Sequence, residues 1–384
     1  MALPETIVAL LVLNAGSSSL KFRLFAPDSL DELAGGTIED LDIDGHAGAF
    51  AALRTQLQRD AAETPVTAIA HRVVHGGDRY AGPVVIDAAV EAAIAALSPL
   101  APLHNPASLA VIRVARDAFP AAPQLAVFDT AFHQTLPDHA WRYAVAEEIS
   151  RRGVRRHGFH GISHADVARR AAEFLGRDNL KLVSLHLGQG ASAAAIDSGR
   201  CIDTSMGLTP LEGLVMGTRS GDLDPALIFH LVREHAMPLP KVEALLTRES
   251  GLKGLCGSGD MREILGRLAA GDDSARLALD LYCYRIRKYI GAYSAALGGI
   301  DALAFTAGVG ENAPEVRARA CAGLAHLGVR IDPDRNRLAR GDISPIHAGD
   351  STVAVLVIRA NEEFEIARQV RELLDTAVSQ GNEP

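Results

Sequence analysis

The chain opens on an apolar run, a set of small residues, and then an alternation of apolar and basic positions. Ile7 to Leu13 are all apolar, which predicts a strand buried on both faces. Ala15 to Ser19 are small residues typical of a turn, and Leu20 to Leu24 alternate with the period of a half-buried strand. The backbone N–H groups and hydroxyls of such a turn, with Lys21, can bind a small anion. An ordinary polar hairpin is the alternative, but Asn14 at the strand end favours a ligand-facing turn.

Strand and helix patterns alternate along the rest of the chain, which predicts an α/β fold. Leu182 to Leu187 and Ala193 to Asp197 predict two further strands around the turn Gly188-Gln189-Gly190. This unit repeats the opening pattern and indicates a duplicated fold with two phosphate-facing turns across a cleft.

Local signals predict where several elements begin and end. Asn105 before Pro106 predicts a helix N-cap, and Ser163 to Asp166 predict a capping box. Leu33 to Ile43 are rich in Gly and Asp without a clear period, so no strand is predicted there. Gly308 to Asn312 are interpreted as a turn after a strand.

Length and composition limit the function classes. The chain has 384 residues, which favours two domains, and its net charge of −9 argues against nucleic-acid or anionic-membrane partners. No uncharged apolar run reaches the roughly 18 residues of a membrane span, and no basic residue precedes Ile7 as in a signal peptide. The four cysteines are far apart without metal spacing, which predicts free thiols and a cytoplasmic location.

The common nucleotide-binding motifs are absent. Neither the P-loop pattern nor a G-x-G-x-x-G after a strand occurs, so a nucleotide would be held by dispersed Gly/Ser turns. The segment from His157 to His164 has three histidines, but Gly158 and Gly161 break helical spacing and no carboxylate or cysteine completes a metal set. Arg72 and Arg219 each lie near glycines in polar segments. A guanidinium there can bind a carboxylate or phosphate bidentately, although a solvated ion pair is the usual role of one arginine.

Two stretches resemble a known family. Asn14 to Lys21 resembles the N-terminal signature of the acetate kinase family, and Thr204 to Gly213 is a longer and more specific match. The resemblance runs from Val8 to about Arg368. Because that family belongs to the sugar kinase, Hsp70 and actin ATPase group, it implies an α/β, two-lobed, duplicated ribonuclease H-like (actin-like ATPase) fold with a central cleft.

The resemblance also implies site residues and roles. The implied catalytic residues are Asp129, His160 and Arg219, and the implied substrate-binding residues are Arg72, Val74, Leu103, Phe159 and Pro210. The implied nucleotide-binding residues are Ser17, Ser19, Lys21, His186, Leu187, Gly188, Gln189, Gly190, Asp260, Met261, Arg262, Gly308, Val309, Gly310, Glu311 and Asn312. The implied Mg²⁺ ligands are Asn14 and Glu362, with Glu363 as a rival that the sequence does not separate from Glu362.

The same resemblance implies a domain division and a reaction. Residues 1–133 with 363–384 would form an N-terminal lobe for the acyl substrate and one phosphate turn, closed by the C-terminal helix. Residues 134–362 would form a nucleotide-binding C-terminal lobe. The implied activity is reversible transfer of the ATP γ-phosphoryl group to acetate, giving acetyl phosphate and ADP, with Mg²⁺ (or Mn²⁺) in a cytoplasmic homodimer.

Two alternative functions stay open, and the chain departs from the family's sequence pattern at two places. The chain could act on propionate or another short acyl group, or it could be a conformational ATPase like actin or Hsp70, although no peptide-binding domain is expected after residue 384. The family usually has Asn where this chain has Gln189, and the extra methylene is expected to shift a phosphate contact or crowd the turn. The loop from Gly257 to Gly259 is about one residue short, which affects how Asp260 to Arg262 align.

Overall fold

The computed structural model describes residues 8–16, 19–26, 28–39, 45–102 and 104–381, with side chains omitted for 45–47 and 377–381. The chain divides into two compact units. Unit 1 takes its described residues from Met1–Gln134, Phe159–Ser163 and Asn361–Pro384, and unit 2 from Thr135–Gly158 and His164–Ala360. The predicted lobes differ from these units mainly at Phe159–Ser163, which was expected in the second lobe.

The elements that the structure describes are twelve strands and fifteen helices, which occur in mixed order along the chain. The strands are β1 Leu10–Ala15, β2 Ser19–Phe25, β3 Glu32–Glu39, β4 Ala68–Val73, β5 Val84–Val85, β6 Gln124–Phe128, β7 Lys181–Leu187, β8 Ala191–Asp197, β9 Arg200–Thr204, β10 Ala302–Thr306, β11 Ile343–Pro345 and β12 Ala354–Ile358. The helices are α1 Gly45–Asp60, α2 Ala88–Ala96, α3 Asn105–Ala118, α4 Asp138–Trp141, α5 Glu147–Ser150, α6 Gly161–Leu175, α7 Ala226–Glu234, α8 Leu239–Arg248, α9 Gly251–Cys256, α10 Met261–Ala269, α11 Asp273–Ala296, α12 Ala307–Asn312, α13 Pro314–Cys321, α14 Pro333–Leu338 and α15 Glu362–Gly381. Short 3₁₀ turns occur at Ser98–Leu100, Ala131–Thr135 and Leu324–Leu327.

Unit 1 contains a six-stranded sheet in the order β3-β2-β1-β4-β6-β5. Strands β1, β4 and β6 run parallel, while β2, β3 and β5 pair antiparallel with their neighbours. Every residue of β1 is buried because successive side chains point to opposite faces and helices cover both. Leu11 and Leu13 belong to a core with α1 and α3, while Leu10 and Val12 belong to a core with α15. The C-terminal helix therefore completes the core of unit 1.

The sheet of unit 2 has the order β11-β12-β10-β7-β8-β9 and repeats the topology of the first. Strands β7, β10 and β12 are parallel, and β8, β9 and β11 are antiparallel to their neighbours. The counterparts of β1 to β6 are β7 to β12, in the same chain order and the same relative directions. The predicted repeat is confirmed, because two unrelated hairpins would not extend into matching six-stranded sheets.

Several local predictions are wrong, each for a physical reason. A strand, β3, occupies most of Leu33 to Ile43, because Gly35 and Gly36 lie opposite Arg23 and Phe22 at the sheet edge, where side-chain periodicity is weak. The predicted turn from Gly308 to Asn312 is the helix α12.

Two predicted helix caps also differ. Asn105 is the first residue of α3, and its buried side chain accepts from the His75 N–H (3.1 Å) and donates to the carbonyls of His75 and Ile94. Ser163 lies inside the first turn of α6, which begins at Gly161, so it does not cap that helix. The Asn105 side chain makes long-range hydrogen bonds that no local sequence pattern encodes.

Within the described residues, no helix is long and apolar enough to cross a membrane. The four cysteines all lie in this part of the chain, and no disulfide joins them.

Candidate functional site

An arginine–carboxylate pair lies at the carboxyl edge of the sheet in unit 1. Arg72 is near the end of β4, and Asp129 directly follows β6, the parallel neighbour of β4. The Arg72 Nε donates to Asp129 Oδ1 at 3.1 Å and Nη2 donates to Oδ2 at 2.6 Å. Asp129 is 1% exposed, and its backbone N–H donates to the Val73 carbonyl at 3.0 Å. The bidentate contact uses one edge of the guanidinium and leaves further N–H groups for a ligand.

Asn14 and two glutamates border the same arginine. Asn14, at the end of β1, accepts from Arg72 Nη1 at 3.1 Å. Its Nδ2 donates to Glu363 Oε1 at 2.9 Å and to Glu362 Oε2 at 3.5 Å. Glu362 Oε2 also lies 3.6 Å from Arg72 Nη1. Because the carboxyl ends of parallel strands meet at one edge of a sheet, residues from β1, β4, β6 and α15 converge here.

Carboxylates outnumber cations in this cluster, which we call the carboxylate site: Asn14, Arg72, Asp129, Glu362 and Glu363. Burial would lower the pKa of the Arg72 guanidinium, but the neighbouring carboxylates of Asp129, Glu362 and Glu363 raise it well above its ordinary value. Burial raises the pKa of Asp129 against the opposing effect of Arg72. Three carboxylates around one guanidinium leave a surplus of negative charge that suits a cation.

The oxygen atoms of the carboxylate site fit Mg²⁺. In the described part of the chain, no group of three or more His, Cys, Asp or Glu side chains is placed to hold a metal by itself. Mg²⁺ is usually bound by one or two carboxylates together with waters and phosphates, so Glu362 or Glu363 provides a suitable carboxylate, while the Asn14 side-chain oxygen accepts from Arg72 Nη1. Glu363 makes the shorter contact with Asn14, and both glutamates stay candidates.

His160 directly precedes a residue whose backbone contacts this edge of the sheet in unit 1. The Gly161 N–H donates to the Asp129 carbonyl at 2.9 Å, and a Cβ on Gly161 would lie 2.1 Å from that oxygen. His160 has a φ of 57°, a left-handed conformation that is uncommon for a residue other than glycine. Such conformations persist where the surrounding structure requires them and occur often at functional sites. His160 and Asp129 are therefore held in one local framework.

The residues predicted to bind the acyl methyl group divide between the units. Val74 and Phe159 are buried in unit 1, and the Phe159 carbonyl contacts His133 Nε2 at 3.0 Å. Pro210 belongs to unit 2, where its carbonyl accepts from Arg219 Nη1 at 2.6 Å. Leu103 lies outside the described residues.

A cavity of about 560 Å³ in unit 2 brings together three predicted segments. The β7–β8 turn, the start of α10 and the helix α12 each contribute to its wall. The lining residues are Gly188, Gln189, Leu252, Gly259, Asp260, Met261, Arg262, Leu265, Tyr282, Gly308, Val309, Asn312 and Ala313. The wall combines glycines that permit close approach with apolar side chains, a combination that suits a ligand with phosphates and a flat ring.

Other predicted nucleotide-binding residues lie elsewhere. His186, Leu187, Gly190, Gly310 and Glu311 belong to the same segments but do not line the cavity. Ser19 and Lys21 lie on β2 in unit 1, and Lys21 is exposed. Ser17 lies outside the described residues.

The wall segments are fixed by specific contacts. Asp260 caps α10 by accepting from the Arg262 N–H at 2.8 Å, and it also pairs with the Arg262 guanidinium at 2.6 Å. These hydrogen bonds lower the pKa of Asp260 to about 2. Gln189 lies against Gly217: its carbonyl accepts from the Gly217 N–H at 3.2 Å, and a Cβ on Gly217 would be 2.3 Å from Gln189 Oε1. The longer glutamine is accommodated because residue 217 has no side chain.

Arg219 differs from Arg72 in its surroundings. Among the residues that the structure describes, no carboxylate forms an ion pair with Arg219, and its Nη1 donates to the Pro210 carbonyl. Burial lowers its pKa below the ordinary arginine value. A partly buried guanidinium without a carboxylate partner is well suited to an anionic ligand.

The sequence comparisons assign the chain to a family. A model of the acetokinase family matches residues 35–368. An acetate kinase of Leifsonia xyli subsp. xyli is 51% identical, with 94% of this chain and 98% of that protein covered. The chain belongs to the acetokinase family.

Two solved kinase structures share the fold of this chain. A crystal structure of Porphyromonas gingivalis acetate kinase matches with a TM-score of 0.87 and 39% identity, covering 95% of this chain and 99% of that one. A propionate kinase from Francisella tularensis matches with a TM-score of 0.89 and 38% identity, covering 94% and 99%. These likenesses and the paired sheets confirm the predicted α/β fold with two duplicated units.

Sequence reasoning missed part of the cavity wall in this acetokinase family member. Five residues line the cavity but were not predicted to bind a ligand: Leu252, Gly259, Leu265, Tyr282 and Ala313. Leu252, Leu265 and Tyr282 lie on helices that show only the ordinary apolar pattern of core residues, so no sequence signal separates a cavity wall from a core position.

Proposed function

We propose that this chain is an acetate kinase, a phosphotransferase that reversibly moves the γ-phosphoryl group of ATP to acetate and forms acetyl phosphate and ADP. The observation that carries the proposal is the Arg72–Asp129 pair within a protein about half identical to an acetate kinase over nearly its whole length. A guanidinium locked along one edge by a buried carboxylate presents its other N–H groups in a fixed direction. Such a group recognises a small carboxylate.

The chemistry requires alignment and charge stabilisation more than proton transfer. Acetate is ionised at neutral pH because carboxylic acids titrate near pH ~4, so it attacks without a general base. The barrier comes from repulsion between that anion and the γ-phosphate. In our proposal, Arg72 binds the acetate carboxylate, Asp129 orients Arg72, and Arg219 and His160 stabilise the equatorial oxygens of the transferred group.

Mg²⁺ is part of the proposal through the carboxylate site. Asn14 with Glu362 or Glu363 would hold the ion, which neutralises phosphate charge when bound. Mn²⁺ has similar preferences for oxygen ligands and would substitute. Glu362 and Glu363 also lie beside Arg72. Burial would lower the pKa of that guanidinium, but Asp129 and these two glutamates raise it.

The nucleotide is assigned to the cavity in unit 2. Its glycines at 188, 259 and 308 permit close backbone approach, and Leu252, Leu265 and Tyr282 offer apolar surface for a base. We also infer a homodimer from the family resemblance and a cytoplasmic location from the use of ATP as donor. The net charge of −9 supports partners that are small molecules rather than nucleic acid or membrane.

A hydroxamate assay tests the activity directly. Purified protein with acetate, ATP and MgCl₂ is expected to form acyl phosphate that hydroxylamine traps, and omission of any one component is expected to abolish the signal. ATP hydrolysis without trapped acyl phosphate would instead favour a conformational ATPase.

A short-chain acyl kinase with another substrate is the second candidate, supported by the likeness to a propionate kinase. Val74 and Phe159 are bulky and buried, which favours a short acyl group. We expect kcat/KM in the same assay to fall from acetate through propionate to butyrate. A maximum at propionate would support the second candidate.

A further inference from the structure

Arg317, on α13, is a buried cation without an acidic partner. Its side chain belongs to the largest fully buried side chains in the described part of the chain, with 1% of the residue exposed. No carboxylate among the described residues pairs with its guanidinium. Burial lowers the pKa of Arg317 to about 10. A buried guanidinium is costly unless its N–H groups are satisfied, so its hydrogen bonds indicate what it does.

The guanidinium connects two helices. Nη1 donates to the carbonyls of Gly310 and Glu311, both at 2.8 Å, near the end of α12. Nε donates to Asn336 Oδ1 and Nη2 donates to the Asn336 carbonyl, both at 2.7 Å, on α14. Asn336 in turn donates from Nδ2 to the Pro314 carbonyl at 2.9 Å. Arg317 therefore fixes the end of α12 to a second helix through four hydrogen bonds.

The helix that it fixes forms one wall of the cavity assigned to the nucleotide. Gly308, Val309 and Asn312 of α12 line that cavity, whereas Arg317 does not. Helix α12 has six residues, too few to be stable by itself, and its last carbonyls have no partner within the helix. An external donor is therefore needed to hold this wall in one conformation.

We propose that Arg317 is a positioning residue for nucleotide binding, which acts by holding α12 against α14 so that the cavity wall is preorganised. The inference rests on the proposed function, because it takes the cavity as the nucleotide site. A preformed wall binds more tightly because less ordering occurs on binding. Loss of Arg317 should therefore weaken nucleotide binding while leaving acetate binding unchanged.

The alternative is that Arg317 contributes to stability alone. A matched variant separates the two. Arg287 on α11 also donates from its guanidinium to a backbone carbonyl of α13, that of Arg319, but makes no bond to α12. Arg287→Met removes a guanidinium–carbonyl contact from the same helix without releasing the cavity wall.

The experiment measures ADP dissociation constants by calorimetry, KM for acetate and ATP, and Tm, for wild type, Arg317→Met, Arg317→Lys and Arg287→Met. We expect Arg317→Met to raise the ADP Kd by about tenfold or more, and KM for acetate to change by less than about twofold. Arg317→Lys keeps the charge but cannot reach both helices, so an intermediate Kd is expected, and this variant serves if Arg317→Met does not fold. Arg287→Met should lower Tm with an ADP Kd close to wild type.

The outcomes are separable. The positioning role is wrong if Arg317→Met and Arg317→Lys have a lower Tm but show the wild-type ADP Kd at a temperature well below their Tm. An equal rise of the ADP Kd in Arg287→Met would also contradict it, because a general loss of stability would explain both. If the wild-type protein binds no ADP, the proposed function itself fails.

Discussion

At the residue scale, the two arginines of the proposed reaction differ in what holds them. Arg72 is fixed by a bidentate contact with Asp129 and by Asn14, whereas Arg219 contacts a backbone carbonyl and no carboxylate of the described part of the chain. A fixed guanidinium is suited to binding a substrate in the ground state. A guanidinium without an acidic partner keeps its charge available for a transition state that gains negative charge.

Arg72→Lys should therefore impair acetate use most strongly. Lysine carries the charge but cannot contact both oxygens of Asp129 and also reach Asn14. We expect kcat/KM for acetate to fall by about 100-fold, corresponding to the loss of about 3 kcal/mol of charge-assisted hydrogen bonding. Arg79→Lys is the matched control, since Arg79 is exposed and stacks on Tyr80 outside the carboxylate site. Equal effects of the two substitutions would contradict the assignment.

Arg219→Ala should act on turnover. Since the proposed role is in the transition state, we expect kcat to fall by about 100-fold or more while KM for ATP changes by less than about threefold. Arg262→Ala is the comparison variant, because Arg262 lines the cavity and is expected to affect KM for ATP more than kcat. Steady-state kinetics that show the reverse pattern for Arg219→Ala would refute its role.

At the element scale, the site depends on close backbone contacts between elements far apart in sequence. The start of α6 touches the residue after β6, where the Gly161 N–H meets the Asp129 carbonyl. Sequence patterns predicted the strands β1, β2, β7 and β8, because burial on one or both faces leaves a periodic signal. They did not predict β3 or the role of the Asn105 side chain, which depend on edge pairing and long-range hydrogen bonds, and they did not predict that α6 begins at Gly161.

Gly161→Ala tests this backbone contact. An added Cβ would lie 2.1 Å from the Asp129 oxygen, so α6 or Asp129 must move. We expect a loss of about 1–3 kcal/mol in the free energy of unfolding, with reduced kcat/KM for acetate because Asp129 orients Arg72. Gly266→Ala on α10 is the control: nothing lies within 4 Å of its added Cβ, and it should stabilise by up to about 1 kcal/mol. Unchanged acetate kinetics in Gly161→Ala would contradict the link.

At the scale of the whole molecule, one topology occurs twice and each copy places its candidate residues at the carboxyl edge of its parallel strands. In unit 1 these are Asn14, Arg72 and Asp129, and in unit 2 they include Gly188 and Gly308. The roles of these residues were inferred from the resemblance to the acetate kinase family, because a glycine or a single arginine by itself gives little sequence evidence of function. That charged groups of both units act on one transferred phosphoryl group stays a prediction.

Stability of the whole fold should depend on His71, which lies on β4 next to Arg72. His71 is 1% exposed, and burial lowers its pKa to about 4. The Gln124 amide is best oriented with its nitrogen donating to His71 Nε2 at 2.7 Å, because its oxygen then accepts from the Arg116 N–H at 2.7 Å. A ring nitrogen that accepts a hydrogen bond belongs to a neutral histidine, so the folded state resists protonation.

Acidification should lower the free energy of unfolding through His71. An unfolded histidine titrates near pH ~6.5, so between that pH and about 4 the unfolded state binds more protons than the folded state. The contribution of His71 is therefore complete above pH ~6.5 and is lost as the pH falls towards 4, by about 2 kcal/mol between pH ~7.5 and ~5. Urea unfolding at both pH values gives the free energy of unfolding of wild type and of His71→Gln. The free energy of unfolding of the variant should fall less than that of wild type on acidification. His326→Gln, at an exposed position, is the control and should lose as much stability on acidification as wild type does. If His71→Gln also loses as much as wild type, His71 titrates alike in the folded and unfolded states and the prediction is wrong.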